Sequence, residues 1–283
     1  MNIFRRGAKF CLRWPRRAGG QHGMTILEVL VASFIGIVVV ASAFELYLTQ
    51  HQNWLIQDEI TDAQQAARAS IRMLSGHIRM AGFGLPSIVD ALEAVDSNPD
   101  TLLVVHQPAE HCEAPLQQDM TSPSEDLQCN GYDLSCFTDG QWAFIYDPDA
   151  DSGEFFVVTG VQTGTAVLEH ATTVFSRNYP QGSQVCLVEA YRFFIDASDS
   201  LHPVMMVEQL GSAAEPYAEN IEDLQFRYVM LNGDTLDVPN QVSLVRQVLI
   251  DLTARTNRED LQFTEEYRRR EFATKVQVRN LGF

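Results

Sequence analysis

The stretch GMTILEVLVASFIGIVVVASAF, residues 23–44, determines how this chain is organised. Residues 29–44 carry no charge, and apolar positions on either side extend the segment to the ~20 residues that a membrane-spanning helix needs. A carboxylate, Glu28, nevertheless stands five residues after Gly23. Because a charge within a membrane helix costs about 3 kcal/mol near the centre and less near the interface, Glu28 is a candidate functional residue.

Charge is distributed unevenly along the 283 residues. Residues 1–23 contain six basic residues and no acid, whereas the other 14 basic and 37 acidic residues leave the remainder at −23. Contacts to phosphates need Lys and Arg, so the acidic part is not expected to bind nucleic acid. Acidity of this kind is typical of a soluble domain.

The basic start resembles a targeting signal, but the small residue precedes the apolar stretch. A secretory signal peptide has its cleavage site after the apolar region, so cleavage at Gly23 would leave the helix on the mature protein. Positive charge stays in the cytoplasm, which predicts a single-pass membrane protein whose C-terminal domain lies across the membrane.

Cleavage after Gly23 would give Met24 a new α-amine four residues before Glu28. If parallel helices stack with a small axial offset, Glu28 of one chain meets the Met24 amine of another. Such a pair neutralises itself in lipid and fixes the register between subunits. The alternative is that Glu28 merely lies at headgroup depth.

Gly23-Met24-Thr25-Ile26-Leu27-Glu28, with its basic leader and apolar helix, resembles the signature of type IV prepilins. The resemblance implies that prepilin peptidase recognises Gly23, Met24, Thr25 and Glu28 and cleaves after Gly23. It also implies N-methylation of Met24. Phe is the usual first mature residue, and Met is an accepted variant.

The helix is predicted to continue beyond the membrane, because apolar residues recur at spacings of three and four. They are Ile60, Ala63, Ala67, Ile71, Leu74, Ile78 and Ala81. Gly82, Gly84 and Pro86 then supply a stop. Runs rich in β-branched and aromatic residues follow, separated by Gly, Asn, Asp and Pro, and predict an antiparallel sheet packed on the helix. The predicted strands are residues 101–106, 141–147, 154–160, 165–170, 184–196, 204–210, 223–230, 243–255 and 272–280. The fold class is therefore α+β.

Within the pilin-like proteins the chain resembles the family of the minor pilin PilW, which is related to the type II secretion pseudopilin GspJ. The resemblance rests on residues 77–84, 221–228, 245–255, 268–272 and 279–280. It implies a pilin fold: a leader (1–23), the transmembrane half of a long helix (24–48), its periplasmic half (49–82) and a globular β-rich domain (83–283). It also implies a location in the inner membrane with the C-terminal domain in the periplasm. The implied partners are the peptidase, other minor pilins and the major pilin, and a tip adhesin is a further candidate.

Cys112, Cys129, Cys136 and Cys186 remain after the leader is removed. An even number in an oxidising compartment suggests two disulfides, with three possible connectivities. The favoured pairing is Cys129–Cys136 with Cys112–Cys186. A metal site that includes His106 and His111 is the alternative, which no Cys-x-x-Cys pair supports.

The loop at 147–154 places acids at alternate positions: Asp147, Asp149, Asp151 and then Glu154. Converging carboxylates can bind calcium, although the pattern departs from an EF-hand because its Gly is one place late. The alternative is an acidic hairpin turn. Calcium is the one cofactor that the sequence suggests.

Signatures of catalysis are missing from the sequence: a phosphate-binding glycine loop, a nucleophile elbow and His-Glu-x-x-His. The chain is therefore predicted not to be an enzyme. The expected function is that of a minor type IV pilin that primes pilus assembly and joins a tip complex in the fimbrium. The alternative is a pseudopilin of a type II secretion system.

Overall fold

The computed structural model describes residues 23–109, 111–170, 175–260 and 266–281. The predicted basic leader, apart from Gly23, lies outside these residues. The chain divides into two compact units between Asn53 and Trp54. A helix, α1, runs from Ile26 to Met80 and contributes its first part to one unit and its second part to the other.

The first unit, within the described residues, is the beginning of α1 and the three residues that precede it. Every side chain from Gly23 to Asn53 is exposed. The second unit begins at Trp54 and contains the rest of α1 together with all the described strands.

Fourteen strands and one short 3-10 helix follow α1 within the described residues. The strands are β1 (Leu92–Val95), β2 (Thr101–His106), β3 (Glu113–Pro115), β4 (Leu127–Gln128), β5 (Trp142–Asp147), β6 (Ser152–Gln162), β7 (Val167–His170), β8 (Gln184–Asp196), β9 (Val204–Gln209), β10 (Glu215–Glu219), β11 (Ile221–Met230), β12 (Thr235–Leu236), β13 (Val245–Arg255) and β14 (Arg269–Gln277); the 3-10 helix is Val242–Leu244.

The described strands form two antiparallel sheets. The larger has the order β1-β2-β8-β5-β6-β7-β4, with β3 and β9 also paired to β8 and β10 paired to β9. The 13 residues of β8 allow it to pair with four strands along its length. The smaller sheet has the order β12-β11-β13-β14. Helix and antiparallel sheets together confirm the predicted α+β class.

The second part of α1 packs against strands of both sheets. Ala67, Leu74 and Ile78 are completely buried, as the spacing of apolar residues predicts. Their cluster includes Phe193 of β8 and Phe226 of β11. Burial of a side chain such as Leu74 stabilises the fold by roughly 2 kcal/mol.

The end of α1 is fixed by a glycine that also touches the C-terminal segment. Gly82 has a positive φ of 76°, and its N–H donates to the carbonyl of Val105 at 2.9 Å. A Cβ added there would lie 2.9 Å from the backbone oxygen of Asn280 and the same distance from the Leu281 side chain. The stop predicted at this glycine is confirmed.

We expect Gly82→Ala to lower the free energy of unfolding by about 1–3 kcal/mol, because it adds a methyl group against backbone at a left-handed position. Urea unfolding followed by circular dichroism measures the change. Gly76→Ala is the matched control, because Gly76 is an exposed position of α1 where an added Cβ would meet nothing within 4 Å. Since Ala has a higher helix propensity than Gly, that variant should be as stable as the wild type or more stable. Equal effects from the two substitutions would contradict this account of the helix end.

Candidate functional site

Gly23, Met24 and Thr25 form an exposed segment that is not helical and lies immediately before α1. The peptide bond between Gly23 and Met24 is therefore two residues outside the helix. A protease needs accessible backbone that is free of regular hydrogen bonding, and this segment offers it.

Thr25 caps the first turn of α1. Its Oγ1 accepts a hydrogen bond from the Glu28 N–H at 3.3 Å, and its carbonyl accepts one from the Val29 N–H at 3.2 Å. Thr-x-x-Glu is the sequence signature of a capping box, so the spacing of Thr25 and Glu28 is the signal that predicts this role, which the apolar run alone does not. Thr25 thus determines where the helix begins.

Glu28 lies in the first turn, where a carboxylate interacts favourably with the helix dipole. It borders a shallow recess of about 440 Å³ that Val31, Ala32 and Ile35 also line. The carboxylate therefore stands beside apolar side chains, with a favourable interaction with its own helix and room for a group from another molecule. The dipole provides a reason for an acid at this position in addition to the predicted subunit register.

The beginning of α1 has the composition of a membrane segment. An 18-residue window has a mean hydropathy of 2.5, and none of it is buried within the protein. The hydroxyls of Ser33 and Ser42 donate to carbonyls four residues earlier, at 2.7 and 2.9 Å, so neither leaves a polar hydrogen unsatisfied in lipid. This one N-terminal helix could span a membrane, which is consistent with single-pass anchoring.

The acidic loop joins β5 to β6, with Asp147 opposite Ser152 in the register. Asp147 is buried, and its Oδ1 accepts from the N–H of Asp149 at 3.0 Å. Its other oxygen pairs with the Arg177 guanidinium. The segment is therefore a hairpin turn, which the buried Asp147 carboxylate stabilises by accepting a backbone hydrogen bond within the turn.

The other carboxylates of this loop turn to different donors. Asp151 accepts from the Tyr146 hydroxyl at 2.9 Å. Glu154 accepts from the Tyr179 hydroxyl at 2.9 Å and from Ser176. Burial raises the pKa of Glu154, but these hydrogen bonds outweigh it and hold that pKa below its usual range. The geometry favours the acidic turn over the calcium site, and within the described residues no three His, Cys, Asp or Glu side chains are grouped to hold a metal.

The cysteines form a different bond from the favoured one. Cys112 and Cys136 are joined, with Cα atoms 5.9 Å apart, and the thiols of Cys129 and Cys186 are free and buried. The expectation of a disulfide is confirmed for one pair, but the pairings Cys129–Cys136 and Cys112–Cys186 are wrong, and the described residues contain one disulfide where two were expected.

The faces of β8 explain why Cys112 and Cys186 do not pair. Alternate residues of a strand point to opposite faces. Val185 and Leu187 belong to the same buried cluster as Cys112, whereas Cys186 lies in another cluster with Phe144. The two sulfur atoms are therefore on opposite faces of the sheet.

Cys129 lies in the same cluster as Cys112, where its N–H donates to the Ala166 carbonyl at 2.8 Å. Burial raises the pKa of the Cys129 thiol to about 12 and is the main cause that raises the pKa of Cys186 to about 11. Because the thiolate is the reactive form, both side chains behave as apolar core residues.

Two histidines meet where α1 packs on the larger sheet. His77 Nδ1 lies 3.4 Å from His106 Nε2, and its ring stacks at a tilt on Tyr191 with centroids 4.3 Å apart. His106 Nδ1 contacts the Gln107 carbonyl at 2.8 Å, which requires a proton on that nitrogen. Burial, followed by the charge of His106, lowers the pKa of His77 to about 4.

This pair predicts that acid destabilises the domain. Between the ordinary His value of about 6.5 and the folded value of His77, the unfolded chain binds a proton that the folded chain does not, so stability rises with pH across this window and is lost as pH falls from 6.5 to about 4. The loss should be roughly 2 kcal/mol between pH 7 and 4.5. Urea unfolding at each pH measures it.

His77→Gln should remove this part of the pH dependence, while His202→Gln, at an exposed imidazole, should not. A pH dependence that is the same in the wild type and in His77→Gln would show that His77 does not carry the effect.

Comparison with known proteins adds no relative: no family model, no curated protein and no solved structure matches this chain.

Proposed function

We propose that this chain is a minor type IV pilin of the PilW kind that prepilin peptidase cleaves after Gly23. In this proposal it is held in the inner membrane with its C-terminal domain in the periplasm, and it is not an enzyme. It associates with other minor pilins and the major pilin, helps to prime pilus assembly, and enters the fimbrium in a tip complex that can include an adhesin.

The observation that carries the proposal is the geometry of residues 23–28. Gly23 and Met24 are exposed and precede the capped start of an apolar helix, so cleavage between them would leave that helix intact. The new amine, a target for N-methylation, would be at the very start of the membrane segment. A signal that is cut before its apolar region makes sense where the helix itself is needed for assembly.

Glu28 gives this assembly a defined register. Met24 and Glu28 carry opposite charges after cleavage, and both are exposed on the described helix start. In lipid, an unpaired charge is costly, so neighbouring helices are favoured at the offset that brings amine and carboxylate together. Helices that are otherwise uniformly apolar have little else to determine how far one slides along another.

The distribution of basic residues supports export, since six precede the apolar helix and none follows it before Arg68, as the positive-inside rule expects for a domain on the far side of the membrane. A pseudopilin of a type II secretion system would use the same chemistry in a different machine. Its signature would be a defect in secreted proteins with normal pili.

A deletion strain complemented with wild type should carry surface pili, whereas Gly23→Ala should not restore them, because the uncut leader keeps the amine from forming. Shearing and quantifying pili measures the outcome, and mass spectrometry reports whether residues 1–23 are removed. Gly76→Ala is the matched control and should restore piliation. Normal pili in the deletion strain would overturn the pilus function, and the proteins in the medium would then be counted to test the secretion alternative.

Glu28→Leu should leave cleavage largely intact and reduce incorporation with partner pilins several-fold, because the amine of Met24 loses its counter-charge. Co-purification from membranes and quantification in sheared pili measure it. Glu45→Leu, at the other end of the apolar segment, is the control and should incorporate as wild type does. Unchanged incorporation of the Glu28 variant would refute the pairing of amine and carboxylate.

A further inference from the structure

A groove of about 660 Å³ lies between the second part of α1, strand β10 and residues 257–258, all within the unit that begins at Trp54. Four alanines, Ala63, Ala66, Ala69 and Ala218, form part of its lining. Side chains of this size allow another helix to approach closely. The helical part of the lining, from residue 55 to residue 69, is ~21 Å long at 1.5 Å per residue, about four turns.

The groove is acidic, and part of its charge is not neutralised by the chain. Asp58, Glu59, Asp62 and Glu219 line it. Glu59 pairs with Arg258 at 3.3 Å, whereas neither Asp58 nor Asp62 forms an ion pair with another described residue. These two aspartates are exposed and four residues apart on one helix, a spacing at which like charges repel.

The same helix carries a complementary basic segment further along. Arg68 and Arg72 are also four residues apart, exposed, and without an ion pair among the described residues. Arg79 follows on the same side and is exposed. Each segment therefore contains an unfavourable like-charge pair that a segment of opposite sign would relieve.

We propose that the groove binds the Arg68–Arg72 segment of a second copy of this chain, with the two helices parallel and displaced by ten residues, ~15 Å. The displacement places the arginines of one copy beside Asp58 and Asp62 of the other. Chains that enter one membrane in the same direction favour the parallel arrangement. The charges alone would also pair in an antiparallel arrangement, so the parallel contact requires that both copies are anchored in one membrane. It does not depend on cleavage after Gly23 or on the pilin function proposed above.

A contact of this kind is heterologous, because each copy uses its acidic groove towards one neighbour and its basic segment towards another. Such contacts do not close on a pair and can continue along a series of subunits. Exposed ion pairs are weak and are screened by salt, so the contact needs the high local concentration that a membrane gives and weakens as ionic strength rises.

Crosslinking in membranes tests the arrangement with the full chain. Two differently tagged copies are co-expressed, one with Ala66→Cys and one with Gly76→Cys, and treated with a short bismaleimide. Residues 66 and 76 are ten apart, and a Cβ at position 76 meets nothing within 4 Å, so the substitution has room. We expect this pair to crosslink at least five-fold more than two copies that both carry Ala66→Cys. Dominant crosslinking of the latter would indicate an antiparallel contact and overturn the proposal.

Charge reversal then tests whether the contact depends on attraction between the aspartates and the arginines. Asp58→Arg with Asp62→Arg in both copies, or Arg68→Glu with Arg72→Glu in both copies, should reduce the 66–76 crosslink at least five-fold. The crosslink should recover when the copy with Ala66→Cys carries the reversed acids and the copy with Gly76→Cys carries the reversed bases, because opposite charges then face each other again. Asp237→Arg with Asp139→Arg, which change the net charge equally at exposed positions outside the groove and off the helix, should leave it unchanged.

Circular dichroism reports whether a charge reversal impairs folding. If it does, the neutral variant Asp58→Asn with Asp62→Asn replaces it and should also reduce the 66–76 crosslink. Crosslinking that is absent in the wild type, unaffected by both reversals, or not recovered in the mixed pair would each overturn the proposal that the occupant is a second copy.

Discussion

The packing of one helical stripe against two sheets is the constraint on which the domain depends. Ala67, Ser70, Leu74 and Ile78 are completely buried in this contact, and strands from both sheets meet there. The two sheets are not paired edge to edge, although β11 also contacts β8 and β9 directly, and α1 covers side chains of both sheets. The same contact fixes which side of the helix faces solvent, and therefore where Asp58, Asp62 and the arginines are displayed.

The first part of α1, unlike the second, contributes no buried side chain. Its apolar side chains are exposed, so it gains nothing from the core of the protein. A helix that could span a membrane must satisfy its backbone hydrogen bonds within itself, because lipid offers no partners. Thr25 helps at the end where backbone donors would otherwise lack partners. The two parts of α1 therefore have different surroundings: the uncharged run ends at Phe44, and burial within the protein begins only beyond Asn53.

Much of the fold could be predicted because its signals are local. Strands β2 and β8 begin and end at the residues that the sequence predicts, and α1 ends within one residue of its predicted stop. The short strands β1, β3, β4, β10 and β12 were missed, because two to five residues carry too little periodicity and are defined by the neighbour with which they pair.

The start of the helix could also be predicted, although the cap at Thr25 was overlooked. The disulfide could not be, since its partners are decided by which face of β8 each cysteine meets. The carboxylates of the acidic loop point in different directions because they bind donors that are distant in sequence, such as Arg177 and Tyr179, and this could not be predicted either.

The bond between Cys112 and Cys136 skips a cysteine. If the domain crosses a membrane from its N-terminal end, the thiol of Cys129 emerges before that of Cys136 and is the first partner that Cys112 meets. An oxidase that joins cysteines in order of arrival would then make the wrong loop, with Cys136 left over. Correct maturation would require either that Cys129 is hidden in the core before oxidation or that an isomerase repairs the first bond. The yield of this protein would then depend on the disulfide-proofreading capacity of its compartment as well as on its own stability.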